Sequence, residues 1–211
     1  MSEFLASESC PIQESGDLKG VVAERGPWIF TTTGGRYFPT TPRPEEVHIW
    51  DIAHALAYLN RYTGHARFPV SVAQHSVLCA RLAPQWIALE ALLHDAAEAY
   101  LGDVSRPVKQ FLKTQVTRMD CCSYCDLEKL NLDAISARFG LRWDDETWRR
   151  IREVDNLALA IEVRDAHCPE FHRLLEERGI RADPNWRVQS ITPQYAKRRF
   201  MEEFERLRRD R

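Results

Sequence analysis

Between Ala91 and Tyr100 the chain reads Ala-Leu-Leu-His-Asp-Ala-Ala-Glu-Ala-Tyr, which sets one imidazole and two carboxyl groups into text otherwise made of small and aliphatic residues. On a helix, residues three and four apart share a face and neighbours diverge by only about 100°, so His94, Asp95 and Glu98 converge. The apolar neighbours Leu92, Leu93, Ala96 and Ala97 require that helix to be buried on most sides. Buried charge is expensive unless it is paired or bound to metal. The fold must therefore bring compensating groups to this spot, and a metal ion resolves the cost.

The surrounding text is dominated by helical periodicity. Ile52, Ala55, Leu56 and Leu59 mark one face of a helix from about residue 50 to Tyr62, closed by Gly64. Ser71 is placed to cap a second helix, Val72 to Leu82. Pro84 suits the first turn of a third, with an apolar stripe through Ile87, Ala88, Ala91, Leu92 and Ala96 up to Tyr100 and a stop at Gly102. Further helices are expected at Lys109 to Leu112, from about Thr117 to Phe139, from Asp145 or Glu146 through Ile161, and from Tyr195 to Arg209. The proline-punctuated stretch from Cys168 to Pro193 reads mostly as loop. Ahead of all these, Trp28-Ile29-Phe30 and Arg36-Tyr37-Phe38 flank Thr33-Gly34-Gly35, a hairpin signal. The expectation is an all-α fold with a small N-terminal β-hairpin, organised as a tail over residues 1–25 and one domain over 26–211 ending in a helical extension.

Composition removes several function classes. With 211 residues and 44% hydrophobic content the chain can fill one substantial core. Its 29 basic and 31 acidic residues give a net charge of −2, against a dedicated nucleic-acid binder. In the basic C-terminal stretch from Lys197 to Arg211, the acids Glu202, Glu203 and Glu205 alternate with the bases, as on a solvated or inter-subunit helix face. No run approaches the roughly 18 apolar residues of a membrane span. The opening residues carry acids and serines where a secretory signal carries bases and an apolar run, so a cytoplasmic location is expected. Six irregularly spaced cysteines do not make a disulfide scaffold. The cluster at Cys121, Cys122 and Cys125 lacks a second Cys/His pair at zinc-ribbon spacing.

His94 and Asp95 supply two metal ligands, and more must come from elsewhere. His75 lies 19 residues before His94, which suits two antiparallel helices joined by the Pro84 turn. Asp155 is an isolated acid within Val154-Asp155-Asn156-Leu157-Ala158-Leu159-Ala160. Two imidazoles and two carboxylates suit a divalent transition ion that keeps open positions for water.

The order His75, His94-Asp95, Asp155 resembles the pattern of the HD-domain metal-dependent phosphohydrolases. More specifically, His94-Asp95-Ala96-Ala97-Glu98 followed by Gly102-Asp103 and Arg106-Pro107-Val108-Lys109 is similar to the 5'-deoxynucleotidase branch. The flanks Asp51-Ile52-Ala53-His54, Gly64-His65 and Ser71-Val72-Ala73-Gln74-His75 resemble the phage-encoded members, the DatZ-like deoxyadenosine triphosphohydrolases. The likeness covers residues 27 to 165, and it implies an HD helical bundle with His75, His94, Asp95 and Asp155 around one divalent ion (Zn, Co, Mn or another transition metal, Mg also being possible). By the same likeness Glu98 acts on the attacking water or shuttles a proton, and Asp103 helps protonate the leaving oxygen. Arg61, Tyr62 and Lys109 contact the substrate, joined by His65 beside Gly64. The implied activity is hydrolysis of a deoxynucleotide, first dATP to deoxyadenosine and tripolyphosphate. Release of phosphate from deoxynucleoside monophosphates is the alternative, and a non-catalytic nucleotide sensor the second alternative. The resemblance also implies a homo-oligomer, dimer or hexamer.

Overall fold

A computed structural model describes residues 25–116 and 124–210. The expected tail, apart from Arg25, the start of the helix expected from Thr117, and Cys121 and Cys122 lie outside the described residues.

The chain is mostly helical with one small hairpin. Strands β1 (Ile29–Phe30) and β2 (Arg36–Tyr37) pair antiparallel, Ile29 opposite Tyr37 and Phe30 opposite Arg36. Gly34 takes a φ of 85° in the connecting turn, a conformation that costs glycine little. The hairpin is fastened to the helices by polar bonds and by one ring stack. Thr33 donates its N–H and its hydroxyl to the buried Asp51 carboxylate at 2.8 Å each. The Tyr37 hydroxyl donates to Asn131 at 2.7 Å, and its ring stacks on Tyr100 with centroids 3.6 Å apart.

Helices α1 (Ile49–Tyr58), α2 (Val72–Leu82), α3 (Ala88–Leu93) and α9 (Pro193–Arg209) enclose the larger core, where Ile52, Leu56, Leu89, Leu92 and Phe200 are inaccessible or nearly so. The smaller core lies between α2, α3 and α7 (Asp145–Ala166) and contains Leu78, Ala91, Ile151, Ala158 and Ile161. Helix α2 is thus packed on two sides. The remaining helices are α4 (Glu98–Leu101), α5 (Arg106–Val116), α6 (Tyr124–Phe139) and α8 (Pro169–Glu177). Replacing fully buried Phe200 by alanine leaves a cavity where three helices meet; we expect a stability loss of about 3–5 kcal/mol in urea unfolding.

Three sequence expectations change. The first helix ends at Tyr58, not Tyr62, because Asn60 forms a bridge to Ser71 and the Arg61 N–H donates to the Val70 carbonyl at 2.9 Å. The expected third helix is interrupted over His94–Ala97. In a continuing α-helix the Ala91 carbonyl serves the Asp95 N–H; here the His94 ring nitrogen Nδ1 bonds to it at 2.8 Å. The chain tightens to i→i+3 bonds, such as Glu98 N–H to Asp95 O at 3.0 Å. Finally, the short helix expected at Lys109 to Leu112 runs from Arg106 to Val116 as α5, while Cys168 to Pro193 is mostly loop as expected, apart from α8, whose first turn Pro169 occupies, where its missing N–H costs nothing. Ser71 does cap α2, accepting from the Gln74 N–H at 3.2 Å. Among the described residues no helix is long and apolar enough to cross a membrane.

Candidate metal centre and its cleft

Helix α2 supplies His75, the interrupted α3–α4 segment supplies His94 and Asp95, and α7 supplies Asp155. His75 is fully buried, and its Nε2 lies 3.3 Å from Asp155 Oδ1 and 3.6 Å from Asp95 Oδ2. His94 Nε2 lies 3.2 Å from Asp95 Oδ2. The four residues expected as ligands therefore come together, although α7 is far in sequence from the neighbouring helices α2 and α3.

The tautomers follow from what surrounds the rings. His94 Nδ1 faces the Ala91 carbonyl and must donate to it. His75 Nδ1 faces Glu162 Oε1 at 2.8 Å. With both Nδ1 atoms carrying the proton, both Nε2 lone pairs are free and point to the place where the two aspartates converge, the arrangement a histidine metal ligand needs. Two neutral imidazoles and two carboxylates also balance the charge of a divalent ion.

Cys79, one turn beyond His75, adds a sulfur: donor atoms of His75, Cys79, His94 and Asp155 all lie within 4.8 Å of one another, a group that can hold a metal ion. The Cys79 sulfur is 3.4 Å from His75 Nε2 and 3.9 Å from Nδ1. The sulfur is thus nearer the Nε2 side of the ring, the side that faces Asp155. Burial also pushes its thiol pKa up, against the nearby His75. Asp95 lies outside that group, although its Oδ2 stands 3.6 and 3.2 Å from the Nε2 atoms of His75 and His94.

Burial and the Arg61 cation push the His75 pKa down, but Cys79, Glu162 and the hydrogen bond to Asp155 outweigh them and raise it well above its ordinary value. Burial would raise the Asp155 carboxyl, yet bonding to His75 and the charges of His75, His94 and Arg61 depress it strongly. The cluster thus draws a positive charge into a buried place, and a proton on His75 can stand in for a cation there.

The metal group opens on a cleft of about 390 Å³ lined by Arg61, Tyr62, Glu98, Asp103, Lys109 and Asp155 among others. Arg61 and Tyr62 sit on a turn (Arg61–Gly64) in which Tyr62 and Thr63 take φ of 59° and 52°. Left-handed conformations cost non-glycine residues about 1–3 kcal/mol each and cluster at functional sites. Glu98 is buried; Oε1 accepts from Lys109 Nζ at 3.3 Å, whereas Oε2 has no hydrogen-bond partner. Its carboxyl is pushed up to about 9 by burial first, then by Asp95 and Asp103, with Lys109 and Arg61 opposing. Burial also raises Asp103, against Arg61 and Lys109. Lys109 further donates to Glu128 at 2.6 Å. His65 is exposed and does not line the cleft; its backbone N–H bonds to the Tyr62 carbonyl at 2.9 Å. A smaller groove of about 170 Å³ beside Arg81, Trp186 and Arg199 has no imidazole or carboxylate in its lining.

Glu162, absent from the sequence expectations, ties together three side chains of the site. It is fully buried in α7 and receives His75 Nδ1 on Oε1, and Arg61 Nε (2.9 Å) and the Tyr62 hydroxyl (2.6 Å) on Oε2. Burial raises its pKa, but Arg61, His75 and the Tyr62 bond overcome that and hold it below the ordinary range. The available signal was its spacing: it lies seven residues after Asp155, two turns along the same helix face.

Fold and site together define a helical protein with a buried His/Cys/Asp group able to hold a metal ion at the wall of a cleft. The chain belongs to the family of the uncharacterized protein YfdR of Escherichia coli (strain K12), to which it is 35% identical over 182 residues, 85% of this chain and 95% of that relative. It is also 36% identical over 124 residues to the uncharacterized protein RCAP_rcc00048 of Rhodobacter capsulatus, covering 54% of this chain and 59% of the relative. No family model matches the chain.

Proposed function

We propose that the protein is an HD-type metal-dependent phosphohydrolase acting on a deoxynucleotide, with dATP cleaved by water to deoxyadenosine and tripolyphosphate as the leading reaction. The observation that carries this reading is the convergence of two Nε2 lone pairs, each fixed by a bonded Nδ1, with Asp95 and Asp155 beside a cleft that presents Arg61 and Lys109. His75, His94, Asp95 and Asp155 would hold a divalent transition ion, which would supply Lewis acidity when bound.

The rest of the chemistry belongs to the cleft. Arg61 is anchored through Nε, which leaves its terminal amino groups for phosphate oxygens; one of them, Nη1, already lies 3.9 Å from Asp95 Oδ2. Lys109 adds a point charge to the lining of the same cleft. Glu98 carries a proton at neutral pH and is suited to hand it on, and Asp103, at the same wall, is suited to reach the leaving oxygen. The size of the cleft is within the range of small-molecule sites and suits one nucleotide.

Incubation of metal-loaded protein with each deoxy- and ribonucleotide, followed by chromatography, tests this. Free tripolyphosphate and deoxyadenosine from dATP, with adenosine triphosphate cleaved more slowly, are expected. Inorganic phosphate from monophosphates alone would move the activity to a 5'-deoxynucleotidase. Equal rates on both adenine triphosphates would remove the deoxyribose preference, and metal binding with no turnover would leave a sensor.

A further inference from the structure

One carboxylate joins the two halves of the site. Glu162 holds a proposed metal ligand with one oxygen, and Arg61 of the proposed phosphate grip together with its neighbour Tyr62 with the other, at 2.8, 2.9 and 2.6 Å, without exposure to water. An ionised carboxylate has lone pairs for all three donors, and each N–H or O–H finds an acceptor. The turn bearing Arg61 and Tyr62 is strained at Tyr62 and Thr63, so it needs tertiary bonds to persist. Those bonds come from Glu162 and from the Arg61 N–H to the Val70 carbonyl. Glu162 Oε1 fixes the His75 tautomer and, by accepting from Nδ1–H, increases electron density on Nε2.

We infer that Glu162 is a positioning residue that couples occupancy of the metal site to the grip on the substrate's phosphates, through His75 on one side and Arg61–Tyr62 on the other. The inference rests on the phosphohydrolase reading for the identity of the bound groups. Its metal half can be read without any substrate. Glutamine is the informative replacement because it keeps the shape: its single carbonyl oxygen can serve one side, and its NH2 then faces N–H or O–H donors on the other.

Metal binding is measured by calorimetric titration of metal-stripped Glu162→Gln and wild-type protein with Co2+, together with the visible spectrum of the Co2+ forms. Binding of inorganic tripolyphosphate to the metal-saturated proteins is then compared. The expected result is a metal affinity lower by about 10–100-fold, the usual loss when an outer partner of a ligating histidine is removed, an altered Co2+ spectrum, and weaker tripolyphosphate binding at saturating metal. A change in melting temperature alone, with Co2+ affinity within twofold of wild type and an unchanged spectrum, would overturn the inference and leave Glu162 a structural residue. If Glu162→Gln does not fold, Tyr62→Phe carries the test, since it removes one donor and leaves the His75 bond intact. It should weaken tripolyphosphate binding with Co2+ affinity unchanged, and equal tripolyphosphate binding would overturn the coupling. Should wild type cleave no deoxynucleotide while Glu162→Gln still loses Co2+ affinity, the activity falls and the positioning of His75 stands.

Discussion

His94→Ala is expected to lose its bound divalent ion and, with it, hydrolysis. The imidazole is held at Nδ1 by the Ala91 carbonyl, so its Nε2 is aimed at the cluster before any ion arrives, and alanine offers no replacement donor. Removing a direct ligand should lower affinity more than the 10–100-fold typical of an outer partner. It also leaves Asp95 and Asp155 facing each other with less compensation than an ion provides. Asp95→Ala should behave alike, because Asp95 Oδ2 stands within 3.2–3.6 Å of both imidazole Nε2 atoms. Elemental analysis and rate on one preparation check this, with chelated wild type as the reference. Stoichiometric metal and near-normal rate in His94→Ala would remove His94 from the ligand set.

Cys79→Ser separates the two possible fourth donors. If the sulfur stands beside the His75 ring without ligating, the serine protein should bind metal within a few-fold of wild type.

The convergence of His75, His94-Asp95 and Asp155 was legible because charge in apolar text is costly: each stands among apolar residues, so each demanded a partner, whereas Cys79, which joins His75, His94 and Asp155, gave no such signal. The helices were legible from their apolar stripes and the hairpin from Thr33-Gly34-Gly35. What escaped depends on bonds between distant parts of the chain. The first helix stops short because Asn60 pairs with Ser71, and a stretch read alone has no access to that bridge. The break at His94 comes from a side chain taking a backbone acceptor within the helix, which periodicity does not register. Glu162 escaped as well. It stands between Ile161 and Val163, an acid in apolar text like Asp155, but its partners, His75 and the turn at Arg61–Gly64, are met only in the fold. His65 was drawn in by its place beside Gly64, yet the three successive positive φ values at Tyr62, Thr63 and Gly64 carry the chain outward before it is reached.

Glu98→Gln should keep the metal and lose most of the turnover, by about 100-fold or more if Glu98 moves a proton in the transition state. The separation of the two effects follows from the geometry. Glu98 lines the cleft and is bonded through Oε1 to Lys109, which turns that oxygen away from duty as a ligand. Its Oε2 is buried without a partner, a cost that an ordinary structural glutamate would have been relieved of by a neighbouring donor. Burial and the nearby Asp95 and Asp103 keep a proton on the carboxyl, up to about 9, in a position next to the proposed substrate site. Glutamine keeps the shape and can still accept from Lys109, but has no acidic proton to give. Metal content and rate therefore have to be measured on the same sample. A parallel fall in both would make Glu98 a ligand or a structural support, and an unchanged rate would leave the proton to Asp103 or to water.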